Sequence, residues 1–375
     1  MNYTKKDKLY IWLSIVFECK PRLANELIRY YEYNIEELYE DVSNGNMRYL
    51  APMRRDTRQK LKYCASDDFI NDFISNFEKR DVYAVTYDSD DYPKLLKEIY
   101  DPPLVLYCRG KKLDNSCKLP FTIIGTRHCT EYGEKMATLF GKVLAENGMT
   151  IVSGLAYGCD AFAAKGALAA RGNPLPTIAV LGQGVCVEKH DYTRSIMEQI
   201  LDRGIVISEM LPYSHATKGS FPLRNRIMSG MSEGVLVVEA GERSGTSITA
   251  NAALDQNRTL FAIPGRITDR MSVGTNRLIR MGMAHAVFDV EDVLSHYGIE
   301  PDSSKVKGEK AGVDPLLKLD ETGKKLYGLI EHGEKNIDEL TELSGLSVEN
   351  LNLYLTEMEF SGLIRQLPGR VYVVE

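Results

Sequence analysis

Seven short apolar runs, separated by segments of helical periodicity, restrict the folds open to this chain more than any other feature. The runs fall at 121–125, 149–153, 176–181, 204–208, 234–239, 258–263 and 284–288. Helical segments lie between them at about 131–147, 158–171, 192–202, 222–231, 246–256 and 273–282. The runs are nearly continuous in apolar, β-prone residues, as expected of strands covered on both faces. The alternation therefore predicts an α/β domain with a parallel sheet between two layers of helices. In such a sheet the carboxyl ends of the strands share one edge, and ligands bind outside it.

The residues predicted at that edge are chemically alike. They read Gly125-Thr126-Arg127, Ser153-Gly154-Leu155, Leu181-Gly182-Gln183-Gly184, Lys218 to Arg226, Glu239 to Thr246, and Pro264-Gly265-Arg266 with Gly274-Thr275-Asn276. Free N–H groups at helix starts, with Ser or Thr hydroxyls and arginines nearby, suit a phosphate. A single glycine corner is what any tight turn needs. Six together, with Arg127, Lys218, Arg224, Arg226, Arg243 and Arg266 on one rim, point to a polyanion.

The densest corner is Phe221-Pro222-Leu223-Arg224-Asn225-Arg226, where Pro222 suits the first turn of a helix. Phe221, beside Lys218, reads equally as a stacking face for a base or as a core ring.

Charge supports a local site over a coated surface. The formal net charge is −6. Leu211 to His285 holds 9 Lys/Arg against 5 Asp/Glu, whereas Asp314 to Glu375 holds 12 acidic and 6 basic residues. A basic field on a neutral body fits a specific anion site.

Catalytic, cofactor and metal readings find little in the sequence. G-x-G-x-x-G is absent after the first predicted strand and G-x-x-x-x-G-K-[ST] is absent throughout, which disfavours NAD, FAD and P-loop ATP chemistry. The six histidines lack metal-ligand spacing, and Ser153 lacks a G-x-S-x-G elbow. Glu209 and Glu239 are expected to be paired at the rim, because a bare carboxylate there would oppose phosphate. The seven scattered cysteines form no C-x-x-C pair and read as reduced thiols of a cytosolic protein. Leu9 to Phe17 is too short to span a bilayer and reads as the first helix of a soluble domain.

Flanking segments complete the plan. Residues 1–80 read as a helical domain, with Pro21 opening a helix and Ser66 capping another. Residues 81–298 hold the α/β domain and an extended lead-in, 299–314 a linker, and 315–375 a winged-helix pattern. The recognition helix of that pattern carries Glu349, Glu357 and Glu359 and no Lys or Arg before Arg365. Such a surface repels phosphate, so the tail is expected to contact protein or to regulate.

Together these residues resemble the DNA-processing protein A family (DprA, also called Smf) over most of the chain. The resemblance is strongest at Ser208-Glu209, Phe221 to Arg226, Val237 to Ala240, Ser244 to Ser247, Thr249-Ala250, Pro264-Gly265 and Gly274-Thr275-Asn276 to Ile279. Asp101 to Tyr107 and Gly125 to Arg127 with Tyr132-Gly133 also fit. It implies an extended Rossmann-like sheet without the nucleotide fingerprint, an N-terminal helical (SAM-like) domain and an optional winged-helix tail. It further implies binding and protection of single-stranded DNA taken up in natural transformation, loading of RecA recombinase, and a homodimer joined through the Rossmann-like domain. No catalytic residue, cofactor or metal is implied.

By resemblance Arg127, Lys218 and Phe221 match the family's main DNA contacts, with Gly125, Ser153 and Gly154 beside them. Arg224, Asn225 and Arg226 match its F-P-x-R-N-R motif. Ser244, Gly245, Thr246 and Asn276 complete the predicted site. Thr126 replaces the family's serine, and its Y-P-x-x-N segment reads Val187 to Asp191 here. The rival reading is a Rossmann-like nucleotide-processing hydrolase with Glu239 as its carboxylate and a phosphate at Ser244 to Thr246. It usually carries P-G-G-x-G-T, which this corner lacks.

Overall fold

The sheet grows in both directions from one central strand. In chain order the strands are β1 (Tyr83–Thr86), β2 (Val105–Gly110), β3 (Pro120–Ile124), β4 (Thr150–Ser153), β5 (Thr177–Val180), β6 (Ile205–Ser208), β7 (Gly234–Val237), β8 (Thr259–Ala262) and β9 (His285–Ala286). In space they run β1-β2-β6-β5-β4-β3-β7-β8-β9. From β3 the chain steps outward through β4, β5 and β6, then returns to lay β7 on the other side of β3. The reversal makes the carboxyl ends of β3 and β7 the switch point, where a ligand crevice is expected.

The computed structural model describes the chain except for Met1, Cys19, residues 47–52, 115–116, 189–191, Arg243, residues 301–318, His332, Glu334, residues 361–362 and Glu375. The expected Arg243 rim charge, the Val187 to Asp191 segment beyond Glu188 and most of the 299–314 linker fall outside the described residues.

All seven expected strands form and pair in parallel, each within two residues of its apolar run, except that β9 holds only two residues. The lead-in adds something the periodicity does not contain. Its two strands form a hairpin, and β2 then pairs antiparallel to β6, extending the sheet to nine strands.

The helices are α1 (Lys5–Val16), α2 (Pro21–Tyr30), α3 (Ile35–Ser43), α4 (Arg55–Cys64), α5 (Asp67–Glu78), α6 (Lys94–Lys97), α7 (Glu131–Glu146), α8 (Cys159–Ala169), α9 (Thr193–Arg203), α10 (Ser220–Gly230), α11 (Thr246–Asp255), α12 (Val273–Arg280) and α13 (Val290–His296). The Leu9 to Phe17 run lies in α1 and its C-cap, the helix opens on a Thr4–Asp7 capping box, and nearly all side chains of the run are buried. One apolar cluster joins α1, α2, α3, α4 and α5 to Val105, Tyr107, Ala179 and Val206 of the sheet. Residues 1–306 accordingly form one compact unit, bridged by a shared core at the boundary expected near residue 80.

The second unit covers residues 307–375. Its helices are α14 (Glu321–Glu331), α15 (Ile337–Ser344) and α16 (Val348–Phe360). A three-stranded sheet, β10 (Lys335–Asn336), β12 (Val371–Val374) and β11 (Ile364–Leu367) in spatial order, completes the winged-helix fold. Leu326, Leu340, Leu351, Leu355 and Met358 form its core. Among the described residues no helix of the protein is long and apolar enough to cross a membrane.

Candidate nucleic-acid interface

The switch point opens into a groove of about 510 Å³ between the corners after β3 and β7 and the start of α10. Gly125, Arg127, Lys218, Phe221, Arg224, Asn225, Ser244, Gly245 and Thr246 line it. Thr126, His128, Ala156, Asp160 and Thr249 are among the residues that complete it.

Each corner is held by its own hydrogen bonds. The chain leaves β3 and is held by Thr126 N–H donating to the Glu239 carbonyl at 2.8 Å. Before α10, Thr217 and Ser220 cap one another reciprocally, with bonds of 3.0 and 3.2 Å. That turn presents Lys218 to solvent, and Pro222 sits in the first turn of the helix. At the start of α11, Ser244 Oγ accepts from Thr246 N–H at 3.2 Å, close to Thr246 Oγ1 at 2.7 Å. Ser247 and Ile248 N–H turn back onto the Ser244 and Gly245 carbonyls at 3.1 and 3.2 Å, so this helix end offers the groove its positive dipole end and hydroxyls more than bare N–H groups.

Two cations are available at the surface. Arg127 and Lys218 are both exposed, and among the described residues neither has a carboxylate partner. The Arg127 guanidinium carbon lies 5.6 Å from the centroid of the Phe221 ring, within cation–π range. Phe221 is 38% exposed and its inner edge rests on Gly182. The ring is therefore a groove wall more than a core side chain.

Beneath this rim lies a buried charged frame. Arg224 is 6% exposed and donates through Nη1 to the Val180 carbonyl at 2.9 Å. Asp160, also 6% exposed, accepts from Gly154 N–H at 3.0 Å and faces the Gly125 and Ala156 N–H groups. Burial pushes the Asp160 carboxyl above its ordinary value, and the Arg224 charge pulls it back. Burial likewise lowers the Arg224 guanidinium, which Asp160 counters. The pair positions the corners after β3, β4 and β5 against one another. Asp160 escapes sequence reasoning, although an acid in the first turn of α8, two residues after Gly158, is a usable sign of N-terminal pairing.

The expected pairing of the rim carboxylates holds. Glu209 takes both oxygens to Arg226 Nη2, at 2.7 and 2.5 Å. Glu239, 3% exposed, accepts from Thr130 N–H at 2.9 Å and Thr130 Oγ1 at 2.6 Å, at the N-terminus of α7.

Four of the predicted contacts, and one arginine of the predicted rim, are placed elsewhere. Arg226 is spent on Glu209 and the Asp101 carbonyl and does not line the groove. Asn276 clamps the backbone of Gly265, with bonds of 3.1 and 2.9 Å. Ser153 is fully buried, and Gly154 lies under Arg224. Arg266 is exposed but is not part of the groove wall.

A family model for DNA recombination-mediator protein A matches residues 83–298, and one for the DprA winged-helix domain matches residues 313–370. The chain belongs to the DNA recombination-mediator protein A family. It is 36% identical to DNA processing protein DprA of Bacillus subtilis (strain 168), over 64% of this chain and 81% of that one. It also resembles the X-ray structure of DNA processing protein A from Streptococcus pneumoniae, with 30% identity and a TM-score of 0.65, covering 80% of this chain and 99% of that one. A structure of DNA processing protein A from Helicobacter pylori, which addresses that protein's single-stranded DNA binding mode, aligns at 30% identity and a TM-score of 0.51 over 57% of this chain and 95% of that one. Within the DNA recombination-mediator protein A family, the departure at Thr126 keeps a hydroxyl in the groove, where it accepts from His128 N–H at 3.2 Å.

Proposed function

We propose that this chain binds single-stranded DNA without regard to base sequence, in the groove between Gly125 to Arg127, Lys218 to Asn225 and Ser244 to Thr246. Phosphates pair with Arg127, Lys218 and the N-terminus of α11, while bases stack near Phe221. Every nucleotide offers both a phosphate and a π-face, so no sequence preference is built in. The observation that carries this reading is the pair of exposed cations, without a carboxylate partner among the described residues, flanking a half-exposed aromatic ring in one groove. The single-stranded DNA binding of the Helicobacter pylori relative supports it.

In the cell, we place this activity in the cytoplasm, protecting incoming DNA during natural transformation and helping to load RecA recombinase. The binding unit is a homodimer joined through the Rossmann-like domain, where Ile267 and Phe288, 93% and 80% exposed, supply apolar surface. No catalytic step is needed. The hydrolase alternative loses support because both Glu239 oxygens sit at a helix N-terminus with 3% exposure, away from a substrate.

The test is a gel shift with single- and double-stranded oligonucleotides of mixed sequence at two salt concentrations. Preference for the single strand, independent of sequence and weakening with salt, is the expected result. Equal or absent binding of the single strand would refute it.

A further inference from the structure

The basic face of α4 has no part in the groove. Between Arg54 and Cys64 stand five cations, Arg54, Arg55, Arg58, Lys60 and Lys62, against one carboxylate, Asp56. This concentration occurs in a chain of net charge −6. Leu61 and Cys64 turn inward, and the Leu61 carbonyl accepts from the Trp12 indole at 3.2 Å. Lys60 Nζ donates to the Ile15 carbonyl at 2.7 Å, near the end of α1. These bonds fix the helix and leave its other face outward.

That face is an open strip of one helix. Arg55, Arg58, Gln59, Lys62 and Tyr63 lie side by side along it at helical spacing. Arg55 and Lys62 stand two helical turns apart, a span of about 10 Å. Among the described residues no carboxylate pairs with Arg55, Arg58 or Lys62. Among the described residues the buried Nε of Arg58 has no hydrogen-bond partner. Like charges three and four residues apart weaken a helix, and a bound polyanion reverses that cost. Tyr63 is 76% exposed and meets Phe69 edge to face at 5.8 Å between ring centroids. A row of cations beside an open aromatic ring has the composition of a stacking and phosphate platform.

The same helical region is tied to the loop that carries Lys218. Leu211 N–H donates to Glu18, and Tyr213 Oη donates to the Asn76 carbonyl. We propose that the Arg55–Arg58–Lys62 face of α4, with Tyr63, is a second phosphate-binding surface for a DNA strand that runs beyond the groove. It rests on the single-stranded DNA reading above.

The experiment uses the full chain and its Arg55→Ala/Lys62→Ala variant, both substitutions being at exposed positions. Oligothymidylates of about 6 and about 30 nucleotides separate one site from two. Affinity is measured by fluorescence anisotropy across a salt series. The variant is expected to bind the short strand as the parent does and the long one about tenfold more weakly, with a salt slope shallower by about 1.4 for two lost phosphates. Unchanged affinity and slope on the long strand overturn the proposal, as they would if α4 serves an acidic protein instead. A loss equal at both lengths also overturns it.

A Tyr63→Trp variant gives a readout independent of the groove, since the chain's one native tryptophan, Trp12, is fully buried. If the parent bound the long strand but not the short one, the groove reading would fail by itself. Quenching of the new tryptophan by the long oligothymidylate would still uphold the α4 surface, and an unquenched signal would end it.

Discussion

Arg224 lays its guanidinium across the bare backbone of Gly154, so closely that a β-carbon there would stand 1.5 Å from Nη1. The contact explains why a corner glycine and a motif arginine go together. Gly154→Ala forces the guanidinium off its bond to the Val180 carbonyl. Overpacking of this kind costs about 1 to 3 kcal/mol. Chemical denaturation should show that loss, with weaker single-stranded DNA binding as the β4 corner shifts.

Replacing Arg224 by methionine keeps much of the volume and removes the charge that offsets Asp160. Asp160 keeps its backbone donors but loses the nearby charge that offsets its burial, which costs about 1 to 3 kcal/mol at neutral pH. The pH dependence has a definite sign. The Asp160 carboxyl is already raised in the folded protein, so its favourable contribution exists at low pH and is lost as pH rises through the folded value. Without Arg224 that value rises further. The deficit of Arg224→Met relative to the parent should therefore shrink on acidification towards pH 4. Equal deficits in denaturant melts at pH 4 and pH 7 would contradict the coupling.

Arg127→Ala and Lys218→Ala should leave the melting temperature unchanged, because both side chains are exposed and neither has an ion-pair partner among the described residues. Each should weaken binding to every oligonucleotide sequence by a similar factor, about tenfold. The slope of log K against log salt should fall by about 0.7 for each phosphate contact removed. Anisotropy titrations on mixed sequences measure both quantities.

Arg226→Ala should behave in the opposite way. Its ion pair with Glu209 is only 13% and 11% exposed, and the same guanidinium holds the Asp101 carbonyl. Stability should drop by about 3 kcal/mol or more as the buried Glu209 loses its partner. The salt slope of DNA binding, measured well below the melting point, should stay that of the parent.

Phe221→Leu separates stacking from packing. At 38% exposure the ring contributes little to the core, so stability should change by less than about 1 kcal/mol. Loss of a stacked base should weaken binding by about 1 to 3 kcal/mol. Quenching of a 2-aminopurine base placed along the strand would report which nucleotide meets the ring.

Much of the architecture was legible because it rests on local patterns. Val235 to Val238 can only be a strand buried on both faces, and Ser66, Pro21 and Pro222 mark helix starts through hydrogen-bonding and φ constraints that act within a few residues. The gathering of Gly125, Lys218, Phe221 and Ser244 at one edge followed from the parallel topology. The antiparallel edge formed by β2 against β6 was not legible, because it pairs segments about a hundred residues apart that carry no mark of their partner.

What the sequence by itself determined was the set of strands, the edge they share and the kinds of residue collected there. Only the tertiary structure decided which of those residues face a ligand. Arg127, Arg224 and Arg226 are chemically identical, yet one is exposed over Phe221, one is buried beside Asp160 and one is consumed by Glu209. The physical reason is that burying an arginine requires partners to replace its water, and those partners, Asp160, Val180 and Glu209, come from distant points in the chain. Charge is written in the residue, but its availability depends on what folds against it.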